Sequence, residues 1–386
     1  MRSGNLMRSI YLDYNATTPI APAVQESMLP FLAEHFGNPS SDHALGRACH
    51  EAVEDARVRV ARLLAADRDE IVFTSGGTES NNLAIKGVVL HHAPAGTGHL
   101  VISTVEHPAV AEPARWLESL GYDLSIVGCD SQGVVDPAEI DAAIRDDTVL
   151  VSVMHANNEI GTVEPIRQIA EVCRARGVLL HTDAAQTVGK IPTRVKEMGV
   201  DLLSLAGHKM YAPKGIGALY VRRGVSLQPL HHGAGHEGGL RAGTENVPHI
   251  VALGHAASLA EKSLAQPNDH LARLRDRLEK RLREGVGERL TVNAARAERL
   301  PNTLSVNFAG VNGGALLRRI PELCASTGSA CHSGSENLSP TLAAIGLSPE
   351  SARGTVRLSV GWYTTEDEVD RAASLLLAAW EAERTT

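Results

Sequence analysis

The chain has 386 residues, 43% hydrophobic, 21% charged and 3% aromatic, with a formal charge of −8. That balance suits a globular protein of two or three domains and excludes a disordered, collagen-like or coiled-coil chain. No Lys/Arg block marks a nucleic-acid surface, and no apolar run reaches the about 18 residues of a membrane span. The opening MRSGNLMRSIYLDYN has no apolar signal core, so a cytoplasmic location is expected. Cys49, Cys129, Cys173, Cys324 and Cys331 are odd in number and lack C-x-x-C spacing, which argues against a disulfide framework or a zinc site.

From residue 47 helical and strand-like segments alternate. Ala52, Ala56, Val60, Leu63 and Leu64 predict a helix over 47–65. A short apolar strand over 71–74 runs into Ser75-Gly76-Gly77, and a helix over 78–92 follows. Next come a strand over 100–103, a helix over 108–120 opening on Pro108, and a helix over 136–145. Residues 148–154 form a continuous apolar run, the pattern of a strand buried on both faces. A helix over 165–176 stops at Gly177, and strands are expected over 178–182, 201–205 and 217–221. This alternation predicts a mostly parallel sheet flanked by helices. From residue 256 the character changes, and a second, smaller domain is expected. It holds one long helix over 256–284, a strand over 303–308 and a helix over 313–320. A small polar loop over 328–335, a strand over 356–360 and a terminal helix with a Thr365/Glu368 capping box complete it.

Ligands of such sheets bind beyond the carboxyl ends of the strands. Five polar clusters stand there: 75–79, Glu106-His107, 157–159, 183–186 and 207–209. Ser75-Gly76-Gly77-Thr78-Glu79 reads as a phosphate cradle at a helix N-terminus, or as a plain turn with Thr78 as cap. Lys209, after Gly207-His208, reads as a Schiff-base lysine or as a surface lysine. Asp183 reads as a cap or as the partner of a ring nitrogen. A pyridoxal phosphate site needs a lysine, an acid and a cradle, and the chain offers all three at strand ends. Cys331, in the small polar stretch STGSACHSG, reads as a thiolate nucleophile or as a tolerated free thiol. Cys49, Cys129 and Cys173 read as packing residues. His231, His232 and His236 sit among glycines without H-E-x-x-H spacing, and no metal is expected. Arg357 offers a carboxylate clamp or a surface ion pair. Asn15-Ala-Thr17 matches a glycosylation pattern and is taken as chance.

These residues carry a resemblance. YLDYNATTP from Tyr11, GNPSS from Gly37, FTSGGTESNN from Phe73, EH at Glu106, NNEIG from Asn157, HTDAAQ from His181, GHK from Gly207, GTEN from Gly243, RLPNT from Arg299 and STGSACHSG from Ser326 resemble the cysteine desulfurases. These are pyridoxal-phosphate-dependent enzymes of the class V aminotransferase kind, and the selenocysteine lyases are close to them. The resemblance implies an α/β, type I PLP-transferase fold. Its large domain, 15–255, would hold a mostly parallel seven-stranded sheet flanked by helices. Residues 1–14 and 256–386 would form a smaller α+β domain carrying the cysteine loop.

The resemblance also implies roles. Lys209 would carry pyridoxal 5'-phosphate and move protons, Asp183 would face the ring nitrogen, and Gln186 the ring hydroxyl. His107 would stack on the ring and assist proton transfer. Gly77, Thr78 and His208 would hold the phosphate, and Thr244 would reach the phosphate of a second subunit in a homodimer. Asn158 and Arg357 would hold the carboxylate of L-cysteine, and Cys331 would take its sulfur as a persulfide for an acceptor protein, in iron–sulfur cluster assembly or other sulfur biosynthesis. L-Selenocysteine, with release of selenide, is the alternative substrate, and a catalytically silent sulfur-transfer scaffold is a remote one. Intact Lys209, Asp183, His107 and Cys331 argue against the scaffold. Two departures stand out: Ala206 where many desulfurases have Ser, and Gly238 in place of a common Arg. His332-Ser333 after Cys331, like Ala206, is lyase-like.

Overall fold

A computed structural model describes residues 9–94, 96–265, 269–327 and 338–384. In chain order its strands are β1 (Ile10–Tyr11), β2 (Ile71–Thr74), β3 (His99–Ser103), β4 (Asp123–Val127), β5 (Thr148–Ser152), β6 (Leu179–Asp183) and β7 (Leu202–Ala206). They continue with β8 (Gly217–Val221), β9 (Leu290–Val292), β10 (Thr303–Phe308), β11 (Leu323–Cys324), β12 (Ser326–Thr327) and β13 (Thr355–Ser359). The large sheet has seven strands in the order β2-β8-β7-β6-β5-β3-β4. From β7 through β6, β5 and β3 to β4 all pairs are parallel, and β8 is antiparallel to both β2 and β7. The expected mostly parallel seven-stranded sheet is therefore present.

Period-two alternation explains why these strands read as unbroken apolar runs. Val72, Leu100, Ile102, Leu150, Leu202 and Leu219 face one core, shared with the helices Gly77–His92 and Pro108–Ser119. Their neighbours Phe73, Val101, Val151, Leu203 and Ala218 face the other, shared with the helices Ala44–Leu64, Ile166–Arg176 and Val247–Leu264. The edge strand β4 escapes the sequence reading because its exposed Asp123 and Ile126 flank only partly buried residues.

The long helix expected over 256–284 is in fact two helices, Val247–Leu264 and His270–Val286. The first packs on the helices Pro22–Ala33 and Ala44–Leu64 and gives Leu253, Ala256 and Ala260 to the large core. The second sets Leu274, Leu278 and Leu282 at four-residue spacing into a separate core with Ile10, Leu12, Leu304, Leu358 and Trp380. Mixed charge on the exposed faces hid this change of partner. The antiparallel sheet β12-β13-β10-β9 backs the second core. Ile10 and Leu12 thus lie in the small core and the chain crosses to the large one at Tyr14, which leaves Asn15 on the seam.

Candidate active site

The strand order reverses between β3 and β5: the chain leaves β3 for the edge strand β4 and returns on the other side. Beyond the carboxyl ends of these strands, the expected place for a ligand, lies a cleft of about 870 Å³. Glu106, His107, Asn158, Thr341 and Arg357 line it.

Lys209 ends the tight turn Gly207–Lys209 that follows β7. Its Nζ donates to the carbonyls of Asn15 at 2.5 Å and Ala16 at 2.7 Å. Burial, with the Arg357 cation beside it, brings the amine down to about 8 against the opposite pulls of Asp183 and Asp13. A lysine so placed reaches its nucleophilic neutral form near neutral pH. Asp183 closes β6 and is buried. Its Oδ2 accepts from Asn81 Nδ2 at 2.7 Å and its Oδ1 from the Ala185 amide at 2.9 Å, so both oxygens are oriented by neutral donors. Gln186 Nε2 donates to Asn15 O at 3.0 Å.

His107 caps the helix Pro108–Ser119, its Nδ1 accepting from the Ala109 amide at 3.0 Å. In the neutral ring this assigns the proton to Nε2. Protein crowding round the ring, with Lys209 nearby, lowers its pKa despite the pull of Asp183. The ring stays neutral at physiological pH and can stack or transfer a proton.

The cradle lies at the N-terminus of the helix Gly77–His92, whose cap residue Gly76 has φ +149° and supplies no side-chain hydrogen bond. The first amides of that helix are thus left for an anion, which the helix dipole favours. A Cβ at Gly77 would stand 3.3 Å from Ala206 Cβ, so the strand end and the helix start lie close together and a side chain there would have to push Ala206 back slightly. His208 reaches Thr17 Oγ1 at 3.2 Å through Nδ1, and burial beside Lys209 lowers its pKa to about 4. Its ring is neutral and can donate one hydrogen bond to a phosphate. An open anion cradle, a buried acid and a depressed lysine together fit pyridoxal phosphate.

Arg357 reaches the same cleft from the small sheet. Its Nη2 pairs with Asp13 Oδ1 at 2.6 Å and its Nη1 donates to Asn158 O at 3.0 Å. The buried Nε has no partner among the described residues. Asn158 and Glu159 complete this wall, and Glu159 accepts from Ser339 Oγ at 2.6 Å.

The structure therefore gathers Lys209, Asp183, Gln186, His107, Gly77, Thr78, His208, Asn158 and Arg357 around one set of strand ends. Thr244 is exposed and is not among the residues lining the cleft. Cys331, with His332 and Ser333, lies outside the described residues. Cys49 and Cys173 are buried packing residues, and burial raises the Cys173 thiol to about 12 and the Cys129 thiol to about 11. Gly238 has φ +63° and ψ 20°, with open space where a Cβ would stand, so an Arg there would meet no steric block but would sit in a left-handed conformation.

Sequence reasoning gave no site role to three residues. Asn15 is wholly buried and joins the two cores; its amide donates to Asn158 O and Thr303 Oγ1, and its Oδ1 accepts from Asn302. The only signal was its place within YLDYNATTP. Asp13 neutralises Arg357. Glu106 is held by Ser103 Oγ at 2.5 Å and the Met154 amide at 2.8 Å.

The aminotransferase class-V family model matches residues 10–372. "Cysteine desulfurase IscS" of Dictyoglomus turgidum is 45% identical over 98% of this chain and 96% of its own. The protein of that name in Vibrio cholerae is 47% identical over 96% of this chain and 92% of its own. A solved "NifS-like protein" superposes with a TM-score of 0.90 at 36% identity, covering 98% of this chain and all (100%) of its own. "SspA in complex with cysteine" does so with a TM-score of 0.82 at 40% identity, covering 92% and 99%. The chain belongs to the aminotransferase class-V family and, within it, to the cysteine desulfurases.

Proposed function

We propose that the protein is a pyridoxal-phosphate-dependent cysteine desulfurase, which converts L-cysteine to L-alanine and passes the sulfur on as a persulfide of Cys331. The observation that carries this reading is the depressed Lys209 amine beside Asp183, at the strand ends of a fold shared along its whole length with desulfurases. When bound, pyridoxal phosphate supplies the electron sink that makes the substrate Cα proton acidic.

The residues do the rest. The Gly77 amide, Thr78 and His208 bind the phosphate; Asp183 faces the pyridine nitrogen and Gln186 the ring hydroxyl. Asn158 and Arg357 orient the substrate carboxylate. Lys209 takes and returns the proton at Cα, and His107 covers the ring and assists. The Cys331 thiolate attacks the substrate Sγ, so that the new S–S bond replaces the C–S bond and the carbon skeleton leaves as alanine. The persulfide then passes to an acceptor thiol.

Two copies form a homodimer in this reading, with Thr244 reaching the partner's phosphate. Exposed Leu29, Leu32 and Phe36 on one side of the molecule support it. The two separate cores support a division into a large and a small domain. Among the described residues no helix is long and apolar enough to cross a membrane, which agrees with a cytoplasmic enzyme. The selenocysteine lyase alternative is not favoured, since the full-length relatives bear the desulfurase name.

The test is alanine release by the purified, cofactor-loaded protein from L-cysteine and L-selenocysteine, side by side. Efficient turnover of cysteine with a dithiol acceptor is expected, and turnover confined to selenocysteine overturns the reading. Cys331→Ala is expected to abolish turnover of cysteine while sparing part of that of selenocysteine, whose selenol ionises more readily.

A further inference from the structure

A second lysine stands beside Lys209, and none of the roles above uses it. Lys190 lies four residues after Gln186, in the turns that leave β6. Its Nζ donates to Gln186 Oε1 at 2.9 Å and to Asn15 Oδ1 at 3.4 Å. Both partners are neutral amides. Burial, with the Lys209 and Arg357 cations nearby, pushes its pKa well below the usual lysine range. Enclosing an amine without a counter-ion disfavours its charged form, and an aliphatic side chain would fill the same space without that penalty. The arrangement is suited to an electron-rich group brought in from outside.

The hydrogen bonds around Lys190 fix how such a group would meet it. Asn15 Nδ2 is occupied by Asn158 O and Thr303 Oγ1, so its Oδ1 must face Lys190. Gln186 Nε2 donates to Asn15 O, so its Oε1 must also face Lys190. Asn15 O is the same carbonyl that accepts from Lys209 Nζ. Gln186 is therefore locked with its amide nitrogen on the Lys209 side, and one N–H of that nitrogen remains to be used.

We propose that Lys190 is a positioning residue of the cofactor site: it holds Gln186 Oε1, so that the remaining Gln186 N–H, polarised by the Lys190 amine at the other end of the amide, meets the ring oxygen of the cofactor carried by Lys209. This rests on Lys209 being the cofactor lysine. A polarised donor at that oxygen favours its anionic form and eases loss of the proton from the adjacent Lys209 nitrogen. The effect is read directly as the pH midpoint of the visible absorbance of the loaded protein, without turnover.

The experiment titrates that absorbance in the pyridoxal-phosphate-loaded wild type, Lys190→Met, Lys190→Gln, Gln186→Ala and the double variant Lys190→Met/Gln186→Ala. Lys190→Met is expected to raise the midpoint by about one unit. Lys190→Gln, which keeps a donor but replaces the amine, shifts it less. Adding Lys190→Met to Gln186→Ala produces little further shift, because Lys190 acts through Gln186. An unmoved midpoint in Lys190→Met, or shifts that add in the double variant, overturns the proposal. If Lys190→Met does not fold, an unmoved midpoint in Lys190→Gln overturns it alone. Borohydride reduction and peptide mapping of the wild type separate this from the reading beneath it. Cofactor fixed on Lys209 leaves a negative titration as the failure of the Lys190 proposal only, whereas cofactor fixed elsewhere removes both.

Discussion

The strand-end floor beside the cleft and the wall that lines it follow opposite electrostatic plans. On the floor, the ends of β6 and β7 present Asp183 and Lys209 from a buried parallel sheet. There the amines of Lys209 and Lys190 donate to carbonyl and amide oxygens. On the wall, the small antiparallel sheet presents Arg357 with a carboxylate already in hand, Asp13 at 2.6 Å. The floor is arranged for a resident electron-rich group whose arrival completes its charge balance. The wall is balanced by Asp13, so a substrate carboxylate held by Arg357, as proposed above, would share or replace Asp13. Preorganisation thus serves the group that stays, and exchange serves the molecule that comes and goes.

The largest break in this contrast is Lys209→Ala. Alanine formation from L-cysteine is expected to fall by on the order of 10³-fold or more, the scale of losing a general acid–base group and an anchor together. The same residue gives a pH signature in the cofactor-free protein. Its folded pKa of about 8 lies below the unfolded value of about 10.4. Between these values the unfolded chain binds more protons, so stability rises with pH across that window. Melting temperatures at both ends of it should show the rise in the wild type and its loss in the variant.

On the wall, Arg357→Gln removes the clamp and strands the Asp13 carboxylate. A charge-assisted pair is worth about 1.5–3 kcal/mol, so kcat/KM for L-cysteine should fall by roughly 10²-fold, mostly through KM. An effect confined to kcat would move Arg357 from substrate binding to the chemical step.

Glu106 sharpens the contrast from beneath the floor. Burial raises its carboxyl to about 8, against the hydrogen bonds from Ser103 and Met154. The folded pKa lies above the unfolded value of about 4.3, so the native state binds the extra proton between them. Stability contributed by this group is present below that window and is lost as pH rises through it. Glu106→Gln keeps the shape and removes the titration. Its advantage over the wild type should grow from acid to alkaline pH and reach on the order of 5 kcal/mol, read as melting temperature against pH. Parallel curves for the two proteins would mean that Glu106 is ionised throughout.

The floor was legible in the sequence and much of the wall was not. Strands β2, β8 and β10 stand where the apolar runs put them, and Asp183 and Lys209 follow because a buried parallel strand announces its own end. Arg357 was equally visible as a residue, yet a guanidinium mid-strand looks the same whether it binds Asp13 or solvent. Asn15 read as a chance glycosylation match, since nothing local tells that residues 302, 303 and 359 return to enclose it. Lys190 was hidden for the same reason: its meaning depends on which amide oxygens face it, and that is decided by three distant segments.

The smallest expected effect tests the floor at Ala206, one of the two departures read from the sequence. Ala206 ends β7 with its Cβ turned toward the uncapped start of the helix Gly77–His92. A hydroxyl there would face the anion that this helix start is open to receive. Ala206→Ser adds one oxygen to a buried position, and a net hydrogen bond is worth about 0.5–1.5 kcal/mol. The dissociation constant for pyridoxal phosphate should therefore fall by roughly two- to tenfold, measured by equilibrium titration of the cofactor-free protein. Turnover at saturating cofactor should not change, because a phosphate contact made equally before and during the reaction lowers no barrier. A tighter cofactor with altered turnover would show instead that the phosphate anchor sets the tilt of the ring over Asp183, and would couple the cradle to the chemistry across the strand end.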